Sequence, residues 1–149
     1  MKKITQLDDT AYFKVEGGNT MGDLAATLSQ YGRMAPAGSH NGVGSGWFLG
    51  CGCGLLSRSF GLGCDYVVSA RVVTESGEIV EATDSNEHSD LLWALRGAGS
   101  GNFGVVVSYS IDTVPLLEEE TFTTFKLGYQ RSVATVVYKF WQGWANYSF

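Results

Sequence analysis

Three kinds of residue in this sequence could do chemistry: two histidines, three cysteines and a crowded run of glycines. His40 and His88 lie far apart, and neither has a second histidine or a cysteine at the spacing a metal site needs. His88 stands where a helix is expected to start and reads as a residue that caps or decorates it. His40 lies inside the glycine run and is a candidate ligand contact. Cys51, Cys53 and Cys64 are an odd set without a disulfide framework. The C-x-C of Cys51 and Cys53 lacks the C-x-x-C spacing of a thioredoxin-like redox pair, so small apolar fillers in a tight turn are the better reading. Gly99, Gly101 and Gly104 complete a G-x-G-x-x-G pattern, but it follows an expected helix and opens an expected strand. A dinucleotide-binding turn has the reverse order. No Gly-Lys pair occurs, which excludes a Walker A loop. Asn146-Tyr147-Ser148 fits a glycosylation sequon, a pattern short enough to arise by chance.

The stretch GSHNGVGSGWFLGCGCGLLSR, residues 38–58, is the richest candidate. Seven glycines fall between Gly38 and Gly54, interleaved with Trp47, Phe48 and two cysteines. A flexible linker would be polar and would not carry such large apolar side chains. Successive backbone N–H groups unshielded by side chains form a nest for anions, phosphates above all, and Arg58 could add a charge. The alternative is a loop packed closely between strands, with Trp47 and Phe48 as core plugs.

Several elements must position that loop. Residues 11–16 read as a short strand ended by Gly17-Gly18. Thr20 reads as an N-cap, with Asp23 completing a capping box. Met21, Leu24, Ala25 and Leu28 keep the spacing of one buried helix face, and Gly32 follows as a stop. Residues 66–82 read as a β-hairpin turning at Ser76-Gly77. Residues 90–97 read as a short apolar helix, 103–111 as a strand, and 121–127 as a half-exposed strand. Residues 132–146 read as a helix with Val133, Val136, Val137, Phe140, Trp141 and Trp144 on one apolar stripe. A stripe of that length needs something large to bury it, so self-association or a partner chain is expected there, and the sequence is expected to stop before its domain does.

Composition narrows the function classes. At 149 residues the chain fits one domain, with 44% hydrophobic and 17% charged residues. A net charge of -5 argues against nucleic-acid binding, which needs a concentrated basic surface. No apolar run reaches the length of a membrane span. The start MKKITQLDD has no apolar core of a signal peptide, which leaves the compartment open.

Four blocks occur in order over residues 11–111: the loop VGSGWFLGCGCG, the turn SRSFGLGCD, the strand pair VVSARVVTESGEIVEA, and the element SDLLWALRGAGSGNFGVVVSYSI. Together they resemble the flavin-binding domain of the vanillyl-alcohol-oxidase/PCMH superfamily, and most nearly its berberine-bridge-enzyme-like branch. The resemblance implies an α+β fold, the second subdomain of a PCMH-type FAD-binding domain, with a mixed or antiparallel sheet flanked by helices. Residues 1–115 would then be a partial FAD-binding domain lacking its N-terminal subdomain, and 116–149 the start of a truncated substrate domain.

Carried over by position, the resemblance implies that Gly38, Ser39, His40, Val43, Gly44, Gly46, Gly50, Gly52 and Gly54 line the pyrophosphate and ribityl path of FAD. Gly104, Val105 and Val106 would hold the cofactor by backbone contacts, with residues 90–96 a structural helix. Many members attach FAD through a cysteine just before the VG-x-GG loop. The matching stretch here, GSHNGVG, has none, so FAD is expected not to be cysteine-linked. The loop is also one residue shorter than usual, and Cys51 replaces one glycine of its GGG run. The implied reaction is two-electron oxidation of an alcohol, sugar or phenolic/alkaloid substrate, with O₂ as acceptor. No catalytic base and no metal ligand is nominated. The alternative expectation is a non-catalytic truncated or split-gene product that binds FAD weakly, or only with a partner chain.

Overall fold

A computed structural model describes residues 1–8, 10–98, 101–116 and 126–146. The chain divides into two units, Met1–Leu116 and Leu117–Phe149.

The first unit is built on an antiparallel sheet. Its strands are β1 (Ile4–Gln6), β2 (Tyr12–Glu16), β4 (Val67–Val73), β5 (Ile79–Thr83) and β6 (Val105–Asp112), in the order β1-β2-β6-β4-β5. The short strands β3 (Arg33–Met34) and β7 (Val114–Pro115) pair separately. Between them run the helices α1 (Met21–Ser29), α2 (Trp47–Gly50), α3 (Ser57–Phe60) and α4 (Ser89–Leu95), with a 3₁₀ turn at Gly63–Tyr66. The architecture is α+β, as the sequence predicts.

Alternation along β2 buries Phe13 and Val15 on one face. On β4 the buried residues are Val67, Ala70 and Val72, and the break in alternation falls where the register against β6 shifts between Val67 and Ser69. Strand β6 lies in the middle of the sheet and buries Ser108, Tyr109, Ser110 and Ile111 in succession, so both of its faces are covered. Met21, Leu24 and Leu28 of α1 and Leu92 and Leu95 of α4 complete this core. Each large side chain so buried contributes about 1.5–3 kcal/mol.

Helix α1 starts as predicted. The Thr20 side chain accepts from the Asp23 N–H, and the Asp23 carboxylate accepts from the Thr20 N–H. That backbone hydrogen bond from Thr20, reinforced by its side chain, holds the Asp23 carboxyl below its ordinary value. Ala25 differs from expectation: it is exposed, and the buried face narrows to Met21, Leu24 and Leu28. The hairpin β4–β5 turns at Gly77, whose φ of +82° suits glycine. Strand β6 begins two residues later than predicted because Gly104, at φ +126°, lies outside the extended region.

In the second unit a 3₁₀ turn (Arg131–Val133) leads into α5 (Ala134–Ala145). Within the predicted stripe, Val136 is 71% and Phe140 76% exposed, Val133, Trp141 and Trp144 are exposed too, and Val137 is half-buried. A groove of about 690 Å³ runs along this helix, lined by Leu127, Tyr138, Phe140, Trp141 and Trp144 among others. Of the strand predicted over 121–127, residues 121–125 lie outside the described residues, and Lys126 and Leu127 have no regular structure. Tyr147 and Ser148 of the sequon also lie outside them. Among the described residues no helix is long and apolar enough to cross a membrane.

Candidate functional site

The loop 38–54 is strapped to the rest of the unit by several hydrogen bonds and closed by one of its own. At its start, the Met21 N–H donates to the Val43 carbonyl and the Gly22 N–H to the Asn41 carbonyl. These bonds, with the capping box, occupy the first amides of α1, so that helix terminus offers no free donor to an anion. In its middle, the Ser45 N–H donates to the Asn19 carbonyl, and the buried Tyr109 hydroxyl donates to the Ser45 carbonyl at 2.7 Å. Burial raises the Tyr109 phenol well above its ordinary value, against the lowering effect of that bond, which keeps it a neutral donor. Phe48 packs against the Tyr109 ring with centroids 6.1 Å apart. At its end, the Trp47 indole N–H donates to the Cys53 carbonyl. Of the two predicted plugs, Phe48 is fully buried and Trp47 is 38% exposed.

The glycines of this loop have different causes. Gly52, at φ +70°, would place a Cβ 2.6 Å from the Gly63 Cα, and Gly54 would place one 2.9 Å from the Gly38 nitrogen. A side chain at either position would collide with backbone, so the chain's own packing accounts for both. The contact between Gly38 and Gly54 also closes the loop on itself. Gly38 has φ +58° and faces Met21 and Trp47. Gly42 lies under the His40 ring and donates its N–H to His40 Nδ1 at 3.1 Å. That bond makes Nδ1 the acceptor and leaves Nε2 to carry the proton of the neutral ring.

Gly44 and Gly46 are different. A Cβ on either would meet nothing within 4 Å, and neither has a positive φ. Gly46 has φ -57° and ψ -13°, a conformation open to any residue. Neither backbone conformation nor packing within the chain requires glycine at these two positions. Space left empty by two such glycines is space for something outside the chain. Beside them, the backbone N–H groups of Ser39, His40, Asn41 and Gly44 have no hydrogen-bond acceptor among the described residues. Such a series of free amides can meet an anion.

Gly38, Ser39 and His40 also line a cleft of about 350 Å³ with Met21, Leu24 and Met34. Val43 is 40% exposed, and Gly50 ends α2 half-buried without a positive φ. Gly104 and Val105 line a different cleft, of about 440 Å³, with Val73, Thr74 and Phe103. A Cβ on Gly104 would lie 2.7 Å from the Val73 carbonyl oxygen, so its glycine, too, serves the chain's own packing. Val105 and Val106 pair with Val73 and Val72 along β4. Tyr109 and Asn19 are the positioning residues that sequence reasoning missed. Asn19 is buried, and its amide donates to the Glu16 carbonyl while its own carbonyl receives Ser45. Helix α4 is structural, as predicted: Arg96 forks onto Asp84 at 2.7 and 2.8 Å and donates to the Val67 carbonyl. The guanidinium's hydrogen bond holds the Asp84 carboxyl below its ordinary value. His88 occupies the N-cap of α4 without a side-chain capping bond.

Ser45 Oγ is fully buried and has no hydrogen-bond partner among the described residues. A buried hydroxyl without a partner costs about 1–3 kcal/mol. Ser45→Ala is therefore expected to raise stability by about 1 kcal/mol, read as a higher melting temperature. A lower one would show that the hydroxyl is bonded in solution.

Comparison with known proteins gives the family of this fold. A family model described as an FAD binding domain matches residues 1–83. The uncharacterised FAD-linked oxidoreductase YgaK of Bacillus subtilis is 38% identical over 153 residues, covering 99% of this chain and 33% of its own length. Berberine bridge enzyme-like 17 of Arabidopsis thaliana is 37% identical over 138 residues, covering 86% of this chain and 24% of that protein. Among solved structures, carbohydrate oxidase from Microdochium nivale, in complex with a substrate analogue, superposes with a TM-score of 0.72 at 38% identity. It covers 77% of this chain and 24% of that one. The chain spans about a third of the length of the first of these relatives, 33%.

Proposed function

Because this chain belongs to the FAD binding domain family of the FAD-linked oxidoreductases, we propose that its loop 38–54 lies along the diphosphate of FAD and forms the cofactor-holding part of a flavin-dependent oxidoreductase. The observation that carries this reading is the open space at Gly44 and Gly46, where nothing in the chain itself calls for glycine. A diphosphate is an anion narrow enough to run along a bare backbone, and the free amides of residues 39–41 and 44 are donors for its oxygens. Tyr109, Asn19 and the crossings Gly52–Gly63 and Gly54–Gly38 hold the loop's shape before any ligand arrives. The loop thus has little ordering left to do on binding, which favours affinity.

Bound FAD supplies the two-electron acceptor, while residues of this chain hold and orient it. The activity of the whole protein is a further part of the proposal: oxidation of an alcohol, sugar or phenolic/alkaloid substrate with O₂ as acceptor. A sugar is favoured by the likeness to a carbohydrate oxidase. Residues 116–149 are proposed to begin the substrate domain. No residue of this chain is assigned as general base.

Titration of FAD with the purified chain tests the reading. Saturable quenching of flavin fluorescence is the expected result, and flavin that stays fully fluorescent at every protein concentration would overturn it. The cofactor is further expected to be non-covalent toward cysteine, since none stands in GSHNGVG. After acid precipitation the yellow colour should stay in the supernatant. Flavin that travels with the tryptic peptide 34–58, which contains Cys51 and Cys53, would contradict this.

A further inference from the structure

Cys51 and Cys64 are joined through their main chains where two backbone segments cross. The Cys64 N–H donates to the Cys51 carbonyl at 3.2 Å, and the neighbouring Gly63 N–H donates to the Gly52 carbonyl at 3.1 Å. A single main-chain N–H···O=C bond keeps the Cα atoms of its two residues on the order of 5–6 Å apart. Disulfides form where that separation is about 4.4–6.8 Å. One residue further on, no side chain separates the segments at all, because a Cβ on Gly52 would already touch Gly63. The three thiols differ in access: Cys51 is half-buried, Cys53 exposed and Cys64 buried. Burial first, then Asp65 and then Cys51, pushes the Cys64 thiol up.

We propose that Cys51 and Cys64 are an oxidisable dithiol that a hydroperoxide closes to an intrachain disulfide, leaving Cys53 as a free thiol. Cys51, the more accessible of the pair, reacts first. Its thiolate sulfur takes one peroxide oxygen, the O–O bond breaks, and the other oxygen leaves as water or an alcohol after taking up a proton. The product is a sulfenic acid on Cys51. The Cys64 sulfur, giving up its proton, then attacks the Cys51 sulfur; the S–O bond breaks and water leaves. Two thiols have lost two electrons in all, and one hydroperoxide has gained them. The cross-link would tie the end of the glycine loop to the turn Gly63–Tyr66.

The test treats the full chain with hydrogen peroxide, alkylates the remaining thiols and maps tryptic peptides without reductant. The expected product joins peptide 34–58 to peptide 59–71 with a loss of two hydrogens and carries one alkyl group, on Cys53. Fragmentation of the wild-type cross-linked peptide locates the bridge without relying on a variant that must fold. Cys51→Ser should abolish the cross-link and Cys53→Ser should leave it intact. A bridge confined to peptide 34–58, a bridge mapped to Cys53, a link between two chains, or three alkylated thiols would each overturn the proposal.

Discussion

Gly46→Val is expected to abolish FAD binding while leaving the fold in place. The wild-type backbone at Gly46 has φ -57° and ψ -13°, so valine meets no conformational penalty there. A Cβ at this position meets no atom within 4 Å apart from its chain neighbours, so the chain leaves room for a side chain as well. The core under the loop is untouched, since Phe48 and the Tyr109 bond to the Ser45 carbonyl do not involve the Gly46 side-chain position. In the complex, by contrast, a branched side chain would stand where the proposed diphosphate runs and would push it off the amide donors. Losing two or more of those contacts should weaken binding by about a hundredfold or more. Far-UV circular dichroism and the melting temperature should stay near wild type while the FAD titration flattens. Normal FAD affinity in Gly46→Val would mean that the empty space is incidental and that the loop serves only the fold. An unfolded variant would show instead that Gly46 is held by contacts within the chain.

The same residues show what could be read from the sequence and what could not. Helix α1 was legible because everything that makes it is local: Thr20 and Asp23 cap it, and Met21, Leu24 and Leu28 repeat within nine positions. The hairpin turning at Gly77 was legible for the same reason. The loop 38–54 was legible as a set, because so many glycines among aromatic residues have few explanations. Its members could not be told apart. The cause of Gly52 is Gly63 and the cause of Gly54 is Gly38, and both partners meet them only through space. Tyr109 reads as an ordinary aromatic in a strand until the fold brings its hydroxyl to a carbonyl 64 positions away. The main-chain bond between Cys64 and Cys51 is hidden similarly: C-x-C draws attention to Cys53, whereas the backbone crossing brings Cys64 to Cys51. Gly104 was placed with the cofactor by resemblance, yet its contact with Val73 is reason enough for a glycine.

The opposite outcome is expected at Gly52, where even alanine should destabilise the first unit severely. Two costs combine. A non-glycine residue held at φ +70° costs about 1–2 kcal/mol. The added Cβ would also lie 2.6 Å from the Gly63 Cα, 2.9 Å from its nitrogen and 3.1 Å from the Cys64 nitrogen, all of them backbone atoms that cannot rotate away. Relief requires the two segments to part, which breaks the bonds from Gly63 to Gly52 and from Cys64 to Cys51 and strains a packed region by about 1–3 kcal/mol more. The total, about 2–5 kcal/mol, is a large share of the roughly 5–15 kcal/mol that keeps a domain folded. Gly32→Ala separates the two costs, because Gly32 has φ +62° but nothing within 4 Å of its would-be Cβ. It should lose only the conformational part, about 1–2 kcal/mol. Chemical denaturation of the two variants side by side measures the difference, with Gly52→Ala showing the clearly lower midpoint. Equal midpoints would mean that the crossing at Gly63 yields at no cost, and that neither the loop's fixed shape nor the main-chain bond between Cys64 and Cys51 rests on it.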